Sequence, residues 1–258
     1  MIIRSEKHLS AYKQAVRIST QILAAVRDAV AVGVTPAELD ALADKLCEEN
    51  KVRPNFKGQG SPRNLYRWAM CISVNDVVVH GIPDTVPLQK GDIVKLDFGI
   101  LSNGYNTDQC VTVVVEKFLN AADENLVRVA RKAVQNAVKL AVAGKRTGDL
   151  GNAMYSTARK AGYDVVKEFV GHGIGKTLHE EPQIAAYGTP HSGQLLKEGM
   201  VICVEAQVVA GSDEVYIDHS GWTVKTVDGE KSAMFEYMVV VGKEKPLVLT
   251  PTLDWPLF

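Results

Sequence analysis

Apolar residues recur at helical spacing from about Ser5 to Val30, with Leu9, Tyr12, Val16, Ile22, Leu23, Val26 and Val30 on one stripe, which predicts an amphipathic helix. Gly33 ends it. Thr35, Pro36 and Glu38 then supply an N-cap, a first-position proline and the acid of a capping box, so a second helix starts there with Leu39, Leu42 and Leu46 as its buried stripe. The same order returns about a hundred residues later. Leu126, Val129, Ala133, Val134, Ala137, Val138 and Ala141 form a long stripe, Gly144 stops it, and Thr147 opens the helix "GDLGNAMYSTARKAG". Gly33 to Leu39 and Gly144 to Leu150 each span six positions, and a strand-rich stretch follows each second helix, so an internal duplication is expected.

The pattern shortens elsewhere to strand-like runs: "MCISV", "VVVH", "IVKLDFGI", "QCVTVVVE", "VICVEAQVV" and "MFEYMVVVG". "PNFKGQGSPRNLYRW", polar, basic and broken by Gly and Pro, reads as a surface loop. No low-complexity linker divides the chain. The expectation is one α+β domain over residues 1–258, made of two pseudo-symmetric halves of about 1–118 and 119–258.

Composition adds exclusions. The chain has 258 residues, 46% hydrophobic and 23% charged, with a formal net charge of −1, so bulk charge predicts neither nucleic-acid nor anionic-membrane binding. The start, "MIIRSEKHLSAYKQ", has no apolar core of signal-peptide length, and no run approaches a membrane span, so a cytoplasmic protein is expected. Cys47, Cys71, Cys110 and Cys203 are dispersed without Cys-x-x-Cys spacing, and settings such as "VICVE" read as buried reduced thiols. No oligomerisation stripe is evident, and a monomer is expected.

One hairpin departs from this ordinary picture. In "VKLDFGILSNGYNTD", Asn103-Gly104 is a strong two-residue turn signal, and such a turn fixes register. Ser102 then pairs with Tyr105, Asp97 with Cys110 and Gly99 with Asp108, which makes Asp97 and Asp108 diagonal neighbours on one face. Two carboxylates that close repel by about 4 kcal/mol at an effective dielectric of about 20. Either they share a proton or a cation sits between them.

Two further acids share that odd setting. Glu205 lies inside "MVICVEAQVV" and Glu236 inside "SAMFEYMVVV". Four acids in apolar strands need positive charge, and the nearest lysines, Lys95 and Lys225, are too few, so divalent metal is favoured. "VGHGIGKTLHEEP" supplies nitrogen: His172 stands between Gly171 and Gly173, and His179 follows after seven residues. His80 ends "DVVVH" before a Gly-Ile-Pro turn, whereas His8, His191 and His219 lack such surroundings and read as surface residues. Acids plus one imidazole suit two divalent ions such as Co, Mn, Fe(II) or Zn, sharing carboxylates to activate a water.

"CISVNDVVVHGIP", "KLDFG", "NGYNTD", "GHGIGKTLHEEP", "EGMVICVE" and "MFEY" occur in an order and spacing that resembles the type I methionine aminopeptidases. The resemblance spans essentially the whole chain. It implies the pseudo-two-fold "pita bread" fold, a curved antiparallel sheet covered by helices, with metal ligands Asp97, Asp108, His172, Glu205 and Glu236. It implies that Asp108 and Glu236 bridge two metals, that Asp97 chelates one, and that His172 and Glu205 complete the other. The implied reaction removes the initiator methionine from nascent polypeptides with a small second residue, at the ribosome. Glu205 would handle the proton of the attacking water, His179 the oxyanion and His80 the peptide nitrogen. Cys71, Leu178 and Trp222 would line the methionine pocket, with Tyr66 as a further contact.

The chain departs from that family's pattern at "GQGSPRNLYRWAMC", at Ala206-Gln207 after Glu205 where Pro is usual, and at Tyr237 after Glu236 where His is usual. Few residues precede the first helix, so no N-terminal zinc-binding or basic extension is expected. The 31 positions from Glu205 to Glu236 leave no room for the helical insertion of type II enzymes. Two rival readings share the fold. A proline-directed aminopeptidase or dipeptidase would normally carry a large N-terminal domain, and a noncatalytic pita-bread binding protein would have lost ligands.

Overall fold

A computed structural model describes residues 1–252 and 255–258. Among the described residues four helices cover a long antiparallel sheet. Helix α1, Glu6–Asp28, is capped by Ser5, whose hydroxyl accepts from the His8 amide. Helix α2, Pro36–Glu49, has the full capping box: the Glu38 amide donates to Thr35 Oγ1 (3.2 Å) and the Thr35 amide to Glu38 Oε2 (2.8 Å). Its buried stripe is Leu39, Ala43 and Cys47. Leu42 and Leu46, expected in that stripe, are only half-buried at its edge, packed against the core beside Leu39, Ala43 and Cys47. Helices α3, Ala121–Val138, and α4, Thr147–Lys160, follow the second copy of the pattern, and the Arg146 amide donates to Asp149 at the start of α4 (2.9 Å).

The site rests on seven strands: β1 Cys71–Val74, β2 Ile93–Asp97, β3 Cys110–Val114, β4 Gly171–Gly173, β5 Glu180–Ile184, β6 Val201–Val209 and β7 Ser232–Val240. Their order across the sheet is β5, β4, β6, β7, β3, β2, β1, so three early and four late strands meet where β7 lies beside β3. Alternation decides what each face does. From β6 and β7, Ile202, Val204, Ala206, Val208, Phe235, Tyr237 and Val239 pack against α3 and α4. Val94, Leu96, Val111 and Val113 of β2 and β3 pack in the same way against α1 and α2. The opposite face carries the acids.

The turn at Asn103-Gly104 has the expected register: Ser102 pairs with Tyr105, Leu101 with Asn106 and Asp97 with Cys110. Both turn residues take positive φ, at 50° and 78°, as such a turn requires. The segment read as a surface loop is more structured than that. It contains the hairpin Gly60–Ser61 with Asn64–Leu65, and Phe56 and Tyr66 are buried. Two aromatic side chains in a short polar stretch have enough apolar area to draw it onto the body.

Candidate metal centre

Across the acid-bearing face, direct cross-strand neighbours run Cys71, Asp97, Cys110, Glu236, Glu205 from β1 to β6. One row further along the strands, β4 pairs His172 with Cys203, and β6 pairs Cys203 with Met238. Asp108 lies beside this second row, its amide donating to Met238 Sδ at 3.2 Å. Gly171 and Gly173 make the position of His172 attainable. A Cβ on Gly173 would meet the Glu181 carbonyl oxygen at 2.2 Å, and one on Gly171 the Cys203 carbonyl oxygen at 2.5 Å. Glycines therefore let β4 fit between β5 and β6, a tighter reason than access from the cavity.

All eleven side chains singled out from the sequence line one cavity of about 250 Å³. His80, at φ 55°, turns its ring edge-on to Phe169 at 5.3 Å and is 6.3 Å from Trp222. His172 and His179 stand ring to ring, centroids 4.4 Å apart. Tyr66 contributes its ring rather than its hydroxyl, which donates toward the Met70 and Gly81 carbonyls, both at 3.0 Å. His191 and His219 are 84% and 98% exposed, as expected of surface residues. His8 is half-buried against Tyr105, because α1 crosses the hairpin tip.

The electrostatics are those of acids without counter-charge. Burial raises the carboxyls of Asp97, Asp108 and Glu236 well above the carboxylate range, and neighbouring acids add to this, Glu205 for Asp97 and both Asp97 and Glu205 for Asp108. Glu205 is pushed up to about 7 by burial, while the Gln207 amide, donating to its Oε2 at 2.6 Å, pulls the other way. Burial, with His179 nearby, lowers His80 and His172 to about 4, so both rings are neutral at pH 7. His172 Nδ1 contacts the Gly173 carbonyl at 2.9 Å, which makes that nitrogen the donor and leaves Nε2, 3.7 Å from Asp108, with a free lone pair. Lys95 does not neutralise the acids. Its ammonium donates to the Asn75 and Ser232 carbonyls at 2.8 and 3.1 Å, and burial lowers it to about 7.

The donor set fits a divalent cation. Asp97 Oδ1, Asp108 Oδ1 and Glu236 Oε1 are inaccessible to solvent and have no hydrogen-bond partner. Four acids crowded against neutral imidazoles would repel one another in a low-dielectric pocket, and a doubly charged ion removes that repulsion. One ring nitrogen or sulfur or carboxylate oxygen from each of Asp108, His172, Cys203 and Glu236 lies within 4.8 Å of the others.

Residues 10–243 match the model of metallopeptidase family M24. The chain is 35% identical over 251 residues to the methionine aminopeptidase of Aquifex aeolicus, covering 95% of this chain and 97% of that protein. The chain belongs to the methionine aminopeptidases of metallopeptidase family M24. The methionine aminopeptidase 1 of Bacillus subtilis is also 35% identical, over 97% of this chain and 99% of that protein. The solved methionine aminopeptidase of Thermotoga maritima superposes with a TM-score of 0.91 at 35% identity, covering 97% and 99% of the two chains. These methionine aminopeptidases share the pita-bread architecture expected from the sequence. The Pyrococcus furiosus prolidase shares the fold alone, with a TM-score of 0.77 at 22% identity over 66% of its length. Among the described residues no helix is long and apolar enough to cross a membrane.

Sequence reasoning missed several residues here. Gln207, Phe169 and Met234 line the cavity, and Cys203 reaches the donor cluster. Gln207 and Cys203 were legible, since each lies two positions from Glu205 on one strand and must share its face. Phe169 was not, because it belongs to an irregular segment that only packing brings beside His80.

Proposed function

We propose that the chain removes the N-terminal methionine from nascent polypeptides whose second residue is small, using two divalent ions (Co, Mn, Fe(II) or Zn) held by Asp97, Asp108, His172, Glu205 and Glu236. The observation that carries this is a single face bearing four acids and a neutral imidazole, three buried oxygens unpartnered, beside an apolar pocket. When bound, such ions supply Lewis acidity and lower the pKa of a coordinated water. The chain's own residues do the rest.

Tyr66, Cys71, Leu178 and Trp222 receive the unbranched methionine side chain, Tyr66 and Trp222 meeting edge to face at 5.2 Å. Glu205, oriented by Gln207, accepts the proton of the attacking water and passes it to the leaving amine. His179, neutral and partly open to the cavity, donates an N–H to the oxygen that gains charge at the scissile carbonyl. His80 holds the peptide nitrogen on the other side. One catalytic domain, 1–258, with halves of about 1–118 and 119–258, frames the site between them; we place its work in the cytoplasm, at the ribosome, as a monomer.

Purified protein supplied with Mn, Co or Fe(II) is expected to release methionine from Met-Ala-Ser. Asp108→Asn or His172→Ala should lower kcat/KM by about a thousandfold or more. Metal-replete protein that leaves Met-Ala-Ser intact and cleaves Xaa-Pro peptides would overturn the proposal.

A further inference from the structure

The mechanism above makes no use of Cys203, which lies on the acid-bearing face. Cys203 is fully buried and carries no disulfide. It projects from β6 on the same face as Glu205, two residues away, and faces His172 across β4 and Met238 across β7. Its Sγ is mutually within 4.8 Å of donor atoms of Asp108, His172 and Glu236. Donors around one tetrahedral ion, bonded at about 2.3 Å through sulfur and about 2.1 Å through oxygen or nitrogen, are about 3.5 Å apart, so each would move inward by less than about 1 Å from a cluster 4.8 Å across. A small inward adjustment therefore places all four donors on one ion. One sulfur, one imidazole nitrogen and two carboxylate oxygens are a donor set that zinc accepts, and zinc can expand to five-coordination, which keeps a position for water. Two of the partners, Asp108 and Glu236, each keep a buried oxygen with no hydrogen bond, which points to a ligand independently of the thiol.

Cys110 is the contrasting case. It lies between Asp97 and Glu236 in the cross-strand row, yet its Sγ is turned to the Met234 carbonyl, 3.9 Å away, and it is not part of the four-donor cluster. Position on the face does not suffice; the side chain must also point into the cluster.

We propose that Cys203 is a further ligand of the metal centre, completing a sulfur, imidazole and two-carboxylate site that favours thiophilic divalent ions, zinc, cobalt or cadmium, over manganese. The inference rests on the reading that Asp108, His172 and Glu236 hold metal. On ion uptake the S–H bond breaks, the sulfur keeps the electron pair for the new metal–sulfur bond, and the proton leaves to solvent.

The test is a Co(II) titration of the full-length protein followed by absorption. An intense sulfur-to-cobalt charge-transfer band should grow in the near ultraviolet, persist in Cys71→Ser and Cys110→Ser, and vanish in Cys203→Ser. In competition titrations Cys203→Ser should lose about tenfold or more of the preference for Zn and Cd over Mn. Extended X-ray absorption at the zinc edge of the unaltered protein should find a sulfur neighbour at about 2.3 Å, a measurement that needs no variant to fold. Only oxygen and nitrogen neighbours, or a Co(II) spectrum unchanged in Cys203→Ser, would overturn the sulfur ligand. The parent reading fails separately, by undiminished Co(II) binding in Asp108→Asn and His172→Ala.

Discussion

Strands β6 and β7 are buried along their whole length on both faces, and the two faces are built to opposite rules. Phe235 and Tyr237 point into the helix-covered core, while Glu236 between them points into the cavity among other acids. On the core side the packing is mainly apolar, so the residues stabilise the fold by being out of water. On the site side the same degree of burial leaves carboxylate oxygens without partners, which costs stability until a cation arrives. Burial is thus no guide to role here. What separates the faces is whether the buried groups complete one another's chemistry within the chain, or only with something added to it.

This contrast is sharpest in neighbouring substitutions. Glu236→Gln should remove methionine release from Met-Ala-Ser almost entirely, by about a thousandfold in kcat/KM, while the metal-free protein melts at the same temperature or a few degrees higher, read by calorimetry in chelator. Phe235→Ala, one residue away, should do the reverse. It should destabilise by about 3–5 kcal/mol in urea unfolding, with kcat/KM of the folded fraction changed less than about threefold. If both variants lost activity and stability together, the two faces would not be separable functions.

A smaller effect tests how the site face is tuned. Gln207→Leu removes the amide that lowers the Glu205 carboxyl, so the acid limb of the pH–rate profile should move to higher pH and kcat/KM at pH 7 should fall by about tenfold. An unmoved acid limb would detach Gln207 from the proton transfer.

The smallest concerns a buried acid outside the cavity. Asp40 on α2 accepts from the Ala69 and Met70 amides at 2.8 and 3.0 Å, yet burial still raises it to about 6. The folded state therefore favours its protonated form: relative to an unfolded carboxyl titrating at about 3.9, the ionised group destabilises above pH 6, and this fades as pH falls toward 4. Asp40→Asn keeps the acceptor oxygen. It should add about 1 kcal/mol at pH 7, discounted because the group is partly solvated, with the gain disappearing near pH 4. A gain that did not fade with acid would show that charge burial is not its source.

Much of this was present in the linear pattern. The capping box at Thr35 and the parity set by Asn103-Gly104 are local signals, acting over a few bonds, and each gave its element and register, whereas the first helix ends at Asp28, before the stop expected at Gly33. The acids stood out because strands seldom carry them, and their strand setting placed them on faces without knowledge of the fold. Elsewhere local signals were insufficient. The 54–68 segment has turn residues throughout, and only contact with Trp222 and Trp68 explains why Tyr66 is buried.

The sequence alone determined which residues alternate to a common face, because side-chain direction in a strand follows parity and nothing more distant. Strand order is a different matter. That β7 lies beside β3, and so brings Glu236 next to Cys110 and Asp97 into one row with Glu205, depends on how the two sets of helices pack on the sheet. So does the choice between Cys203 and Cys110: both share the face of the acids, and only the surrounding side chains turn one sulfur toward the cluster and the other toward a backbone carbonyl.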